Sequence, residues 1–406
     1  MAVRAVPEVI GRLAGFATSI VFTTIVGLFA IPILVSTAGP ATWAVIALAQ
    51  SIALLWGVAV SFGWGTTGPA MVAGMEPGLR PQMYADSLVS RGYLFSMTLP
   101  AAMFVVYLVA HHDRLLTAMA CIAYVLPFLG AAWFFVGDAQ PRRLFLYDTL
   151  PQSLGVVAGL MGLIWTRSAF AFVLAVALFN AVSVGLSAFQ IFQRAADRPH
   201  IHWNFQAAMG RLAGQRHGVI TAATSSLYVN TPLIAVSAIV PGGLAVYAMG
   251  DKFFRYSLTA LGPVIQVLQG WIPDPSPSTR DRRVRRTMLI APLAGVAGGA
   301  AIAFLAPWAA TLLSGGRIVL GHALSIPFGA VFFGVAISQM VGLACLIPLG
   351  RGNALVRSTL LGAVLGIPMI AVGAIIWGVV GVAWAVAASE VVVALFQLRV
   401  LALHFR

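Results

Sequence analysis

Uninterrupted apolar stretches, parted by short polar ones, dominate the pattern along the chain. A bilayer-crossing helix takes about 20 mainly apolar residues. Stretches of that kind recur at roughly 12–36, 42–64, 87–110, 115–136, 144–165 and 169–192 in the first half. The second half has them at roughly 217–240, 243–271, 288–312, 322–349, 354–377 and 379–403. The longest interior polar gap falls at the midpoint of the chain. In it, Trp203, Phe205, Ala208, Met209 and Leu212 recur at helical spacing among basic residues. That pattern predicts a short interfacial helix. The expected organisation is a six-helix bundle at 1–193, an amphipathic cytoplasmic linker at 194–216 and a second six-helix bundle at 217–406.

Composition agrees with a chain solvated by lipid. Of 406 residues, 60% are hydrophobic and 9% are charged, whereas a soluble domain carries about a quarter charged residues. The net charge of +13 would suggest nucleic acid in a soluble protein. Here the charges fall almost wholly between the apolar stretches, so they read as a topology signal. With the N-terminus cytoplasmic, 19 of the 24 basic residues fall on the inner side, from Arg4 and Arg12 through Arg198 and Arg216 to Arg406. Only Arg114, Arg167 and Arg317 fall outside. The stretch from Leu13 to Val35 has no charge and exceeds the ~7–15 residues of a signal-peptide core, so it reads as an uncleaved first span. Cys121 and Cys345 sit in separate apolar stretches and suggest neither a disulfide nor a metal site. His111 and His112 are adjacent, so they do not present a metal pair on one helix face. No cofactor is expected.

The outer loops, such as "HHDR", "TRS" and "PGG", are too short to fold into a catalytic domain. This argues against a membrane-embedded polysaccharide polymerase or ligase. Pro40, Ala44, Val45 and Ala47 match Pro241, Ala245, Val246 and Ala248 at an offset of 201. These positions open the second and eighth spans, the pattern of two related bundles.

Three local stretches carry a resemblance: "AWFFVGDAQPRR", "GGLAVYAMGDKFFRYSLTALGPVIQVLQGWIPD" and "PLGRGNALVRSTLLGAVLGIPMI". With twelve spans in two halves, they resemble the Wzx-like polysaccharide and O-antigen flippases. These form the oligosaccharide branch of the multidrug/oligosaccharidyl-lipid/polysaccharide (MOP) exporter superfamily. The resemblance implies an all-α membrane fold, with two six-helix bundles around a central cavity. It also implies translocation of a polyprenyl-pyrophosphate-linked oligosaccharide across the bacterial inner membrane, without bond chemistry. Implied partners are membrane lipids, a polysaccharide polymerase and glycosyltransferases, and not nucleic acid. The chain departs from many relatives at Asn230, Thr231 and Pro232, where they carry an acidic residue. An ion-coupled multidrug exporter and a non-transporting assembly scaffold are the alternative readings.

Charges inside the spans are the candidate functional residues, since a charge at mid-bilayer costs about 2.5–3.5 kcal/mol on insertion scales. Asp251, Lys252 and Arg255 lie within the eighth span. Asp251 and Arg255 are spaced i, i+4 and share a helix face, and Lys252 is rotated about 100° from Asp251. One acid against two bases leaves a net positive patch suited to pyrophosphate. The bland alternative is a self-neutralised pair with Lys252 snorkelling outward. Gln50, Gln266, Gln269 and Gln339 are candidates for sugar hydroxyls or for bonds between helices. Glu390 in the last span has no base within four residues and is the candidate for ion coupling. Arg12 and Arg91 read as inner-face anchors, and Asp148 as a local partner of Arg142 or Arg143. The run "STRDRRVRR", with Arg282, Arg283, Arg285 and Arg286, reads as an inner-face cluster for anionic headgroups. Pro263 and Pro327 mark flex points.

Overall fold

The computed structural model describes residues 2–195, 199–213, 216–273 and 276–405, and among these it contains helices and no strand. Arg198, Arg406 and the side chains of Arg4, Arg12 and Arg216 lie outside the described residues. The chain forms two compact units, Met1–Ser226 and Leu227–Arg406.

The first unit begins with α1 (Ala2–Ala38), α2 (Pro40–Ser61) and α3 (Trp64–Gly74). Gly39, at φ 91°, turns the chain into α2, and Pro40 sits in its first turn, where the missing N–H is not needed. Phe62 and Gly63 are both left-handed and part α2 from α3. The α3 helix occupies a gap in the apolar map. Next come α4 (Arg80–Val109) and α5 (Arg114–Val125), the latter capped by Asp113 accepting from the Leu116 N–H at 3.2 Å. The fourth span is broken: a 3₁₀ turn at Leu126–Leu129 and Gly130 separate α5 from α6 (Ala132–Gly137). The fifth is also irregular, with α7 (Pro141–Leu144), a π turn at Phe145–Thr149 and α8 (Leu150–Thr166). Then α9 (Ala169–Gln193) crosses back.

The central polar segment carries α10 (Phe205–Ala213), which packs on α4. Ala208 and Leu212 are buried there, while Trp203 is 72% exposed. Arg211 pairs with Asp86 at 3.1 Å, and Gln82 exchanges two hydrogen bonds with the His200 backbone. The helix is thus strapped to its own unit by polar contacts as well as by its apolar face.

From α11 (Arg216–Ile239) the chain enters the second unit, through a 3₁₀ turn at Pro241–Gly243 to α12 (Leu244–Trp271). α13 (Pro277–Ser314) starts eleven residues before the apolar stretch does, so the arginine run is helical. α14 (His322–Val341) continues into a π turn at Gly342–Leu346. Neither Pro263 in α12 nor Pro327 in α14 ends its helix. The last element, α15 (Gly352–Ala402), reverses at Gly378, whose φ of 59° and ψ of −141° fall in a region reserved for glycine. The two halves then touch backbone to backbone: a Cβ on Gly373 would lie 2.5 Å from the Gly381 carbonyl oxygen.

Nine helical stretches among the described residues are long and apolar enough to cross a membrane. α11 and the charged α12 add two, and the reversal at Gly378 makes one into two. The twelve expected segments are therefore all helical. Their packing inverts the soluble pattern. Phe29, Phe104, Phe304 and Ile375 are more than 60% exposed, while Ser87, Ser90, Asn180 and Ser187 are buried and hydrogen-bonded. That arrangement suits a protein whose outer solvent is hydrocarbon.

Candidate functional site

Two charged constellations lie inside the helical units. In the first unit Arg91, on α4, is fully buried. It is not an inner-face anchor. Its Nη1 donates to the carbonyls of Phe128 at 2.9 Å and Gly130 at 2.8 Å, and Nη2 donates to Ser87 Oγ at 3.1 Å. The guanidinium also lies 5.6 Å from the Trp133 ring centre and 5.8 Å from that of Tyr84. These carbonyls are the groups freed by the break between α5 and α6. Arg91 therefore satisfies backbone that hydrocarbon would leave without partners.

Asp148 also differs from expectation. Asp138, not Asp148, takes the basic residues: Arg80 at 2.5 Å and Arg143 at 3.9 Å. Asp148 is buried in the π turn, beside Ser183 and Gln152. Its Oδ1 has no hydrogen-bond partner among the described residues. Ser183 and Ser187 on α9 donate to the Tyr147 carbonyl, at 3.3 and 3.1 Å, and support the loosened turn.

The second unit holds the predicted site. Arg255 Nε donates to Asp251 Oδ2 at 2.6 Å, the i, i+4 pair expected on α12. Arg255 Nη2 also donates to the Val229 carbonyl and to Asn230 Oδ1, both at 3.3 Å. Asn230, singled out on the seventh span, thus helps to hold the arginine. Lys252, half-buried one residue beyond Asp251, lies within the electrostatic reach of both members of the pair.

One residue before Val229, the Tyr228 hydroxyl lies 2.5 Å from Ser389 Oγ. Glu390, the residue after Ser389, is buried. The structure therefore joins two predicted features, the α12 charges and Glu390, through residues 228–230 of α11. Tyr228 and Ser389 were not singled out from the sequence. The available signal was a tyrosine two residues before Asn230 and a serine beside a lone mid-span acid.

The glutamines are not part of this group. Gln266 is exposed on α12, about 17 Å along the axis from Arg255. Gln269 is also exposed, Gln339 is half-buried on α14, and Gln50 belongs to the first unit. At the start of α13, Arg282, Arg285 and Arg286 line an open groove of about 400 Å³ with Ser278, Asp281 and Leu289. Arg283 is turned back over the Trp271 ring at 5.4 Å and donates to the Trp271 carbonyl. Arg285 lies 4.7 Å over the Phe405 ring. His111 and His112 are exposed, and Cys121 and Cys345 are buried free thiols. No metal-binding cluster occurs among the described residues.

No protein-family model and no curated protein sequence matches the chain. Solved structures do. The lipid II flippase MurJ in an inward closed conformation superposes with a TM-score of 0.76 at 10% identity, over 95% of this chain and 87% of that one. An inward-facing multidrug resistance MATE family transporter of the MOP superfamily gives 0.69 at 16% identity, over 94% of both chains. A MOP superfamily transporter from Pyrococcus furiosus, described as having a binding pocket of reverse polarity, gives 0.54 at 16% identity. It covers 97% of this chain and 95% of that one. The chain has the fold of these MOP transporters. At such identities the likeness speaks for the fold, and the site must speak for the function.

Proposed function

We propose that this protein is a flippase of the bacterial cytoplasmic membrane. It moves a polyprenyl-pyrophosphate-linked oligosaccharide from the inner to the outer leaflet for cell-surface polysaccharide synthesis. The observation that carries this reading is Arg255. It lies about 17 Å along α12 from Leu244, near the middle of a hydrocarbon core about 30 Å thick. Asp251, Lys252 and Arg255 carry one negative and two positive charges, a net positive stretch suited to a diphosphate. The MurJ-like fold supports a lipid-linked substrate. Transport proceeds by alternating access of two bundles, 1–193 and 217–406, joined by the 194–216 segment. Glu390 couples it to an ion gradient, Gln50, Gln266 and Gln339 contact sugar, and the α13 arginines bind anionic headgroups. A polysaccharide polymerase and glycosyltransferases are the proposed working partners.

The test is leaflet transfer of a labelled lipid-linked oligosaccharide in liposomes holding the purified protein. Transfer above protein-free liposomes is expected, falling at least tenfold in Arg255→Ala. Absence of transfer, with gradient-driven expulsion of an organic cation from the same liposomes, would favour a MATE-like exporter instead. Full transfer by Arg255→Ala would remove Arg255 from the site and leave the function standing.

A further inference from the structure

The outer face of α13 changes chemistry at one level. Arg282, Arg285 and Arg286 are exposed on it, and so are Leu289, Leu293 and Val296. Arg282, Arg286, Leu289, Leu293 and Val296 follow in steps of three or four residues, so they form one stripe along the helix. The opposite face, with Val284, Thr287, Ala291, Gly295 and Gly299, is buried in the unit. Between Arg286 and Leu289, about 4.5 Å along the axis, the stripe passes from cation to hydrocarbon. The groove of about 400 Å³ lies at that junction, lined by the three arginines and Leu289.

The neighbouring arginines are engaged elsewhere. Arg280 Nε lies 3.6 Å from Asp281 Oδ1. Arg283 lies over the Trp271 ring and donates to the Trp271 carbonyl. Among the described residues, no carboxylate forms an ion pair with Arg282, Arg285 or Arg286. Arg285 is stacked on Phe405, which leaves the N–H edge of its guanidinium able to donate. A ligand that complements this surface has an apolar tail and a head with more than one negative charge. A phospholipid with one phosphodiester supplies a single charge. A diphosphate supplies at least two on adjacent phosphorus atoms, and arginine forks match phosphate oxygens in pairs.

We propose that the α13 groove is an entry site, where the diphosphate head of a polyprenyl-linked substrate docks before it reaches Arg255. The tail lies along Leu289, Leu293 and Val296. This deepens the flippase reading and rests on it, including its cytoplasmic placement of this face. Trp271, which anchors Arg283, ends α12. Arg255 lies about 24 Å before it along the axis. The groove and Arg255 are therefore two successive positions for one head group, at different depths.

Binding of radiolabelled geranylgeranyl diphosphate tests this, with the purified full-length protein in nanodiscs of phosphatidylcholine. Arg282, Arg285 and Arg286 are changed together to glutamine, both in the wild-type protein and in Arg255→Ala. All three are exposed, so folding should survive, and circular dichroism checks it. Loss of their charge-assisted bonds should weaken binding by about tenfold or more in both backgrounds. Changing the three to lysine keeps the charge and removes the forks, and should still weaken binding by more than about twofold. Phosphatidylglycerol and inorganic pyrophosphate, one lacking the diphosphate and the other the tail, should each compete about tenfold less well than unlabelled geranylgeranyl diphosphate. Equal competition by either overturns the proposal, phosphatidylglycerol by showing a general anionic-lipid surface. Binding within about twofold of the parent in the glutamine variants, with leaflet transfer intact, overturns the groove and leaves the flippase standing. Groove binding without leaflet transfer overturns the entry role along with the flippase reading.

Discussion

Replacing Arg91 by alanine strands two buried carbonyls, those of Phe128 and Gly130, at a break in a membrane helix. A buried acceptor left without a partner costs about 1–3 kcal/mol. The ring contacts with Tyr84 and Trp133 add about 0.5–2 kcal/mol. Against this, the cost of burying the guanidinium itself disappears. The net loss expected for Arg91→Ala is about 3–5 kcal/mol. For a unit of this size that corresponds to a fall in Tm of roughly 6–20 °C, at about 2–4 °C per kcal/mol. Arg91→Met separates the contributions, because it restores apolar bulk and still strands both carbonyls, so it should recover only part of the loss. Arg91→Lys should fall between, since an ammonium lacks the planar fork. Thermal unfolding of the detergent-solubilised protein measures all three. A loss within about 0.5 kcal/mol for Arg91→Ala, the value of an ordinary surface site, would refute the capping role.

Further outcomes are expected. Gly130→Ala would place its Cβ 2.9 Å from the Pro127 carbonyl and 3.1 Å from Asp148 Oδ1, and should cost about 1–3 kcal/mol in the same unfolding measurement. Gly366→Val should wedge against Tyr228 and abolish pyrophosphate binding while the protein still purifies as a folded species by circular dichroism. Arg282, Arg285 and Arg286 changed together to glutamine should weaken binding to vesicles rich in anionic lipid, by about 1 kcal/mol per charge. Binding to neutral vesicles should stay unchanged.

The helices were legible because hydrocarbon selects for run length, which a sequence displays directly. Arg255 and Asp251 were legible because their partnership is local, four residues along one helix. Arg91 misled because its partners are backbone carbonyls 37 and 39 residues away, and carbonyls have no sequence signature. Asp148 misled because sequence proximity favoured Arg142 and Arg143, while the π turn rotates it into the unit. Ser389 lies 161 residues from Tyr228, and only the packing of α11 on the last helix brings them together. The start of α13 falls outside the apolar stretch at 288–312 because a hydropathy rule does not register a helix rich in arginine.

The reversal at Gly378 settles where the end of the chain goes. A continuous helix of the 51 residues of α15 would be about 77 Å long, more than twice the hydrocarbon thickness. A single left-handed glycine folds that length into a hairpin and returns the chain to the membrane face from which Gly352 set out. The two halves must therefore enter the bilayer as a pair, each supplying the other's packing surface at Gly373 and Gly381. The sidedness of Arg399 and everything after it is in this sense written in one backbone torsion.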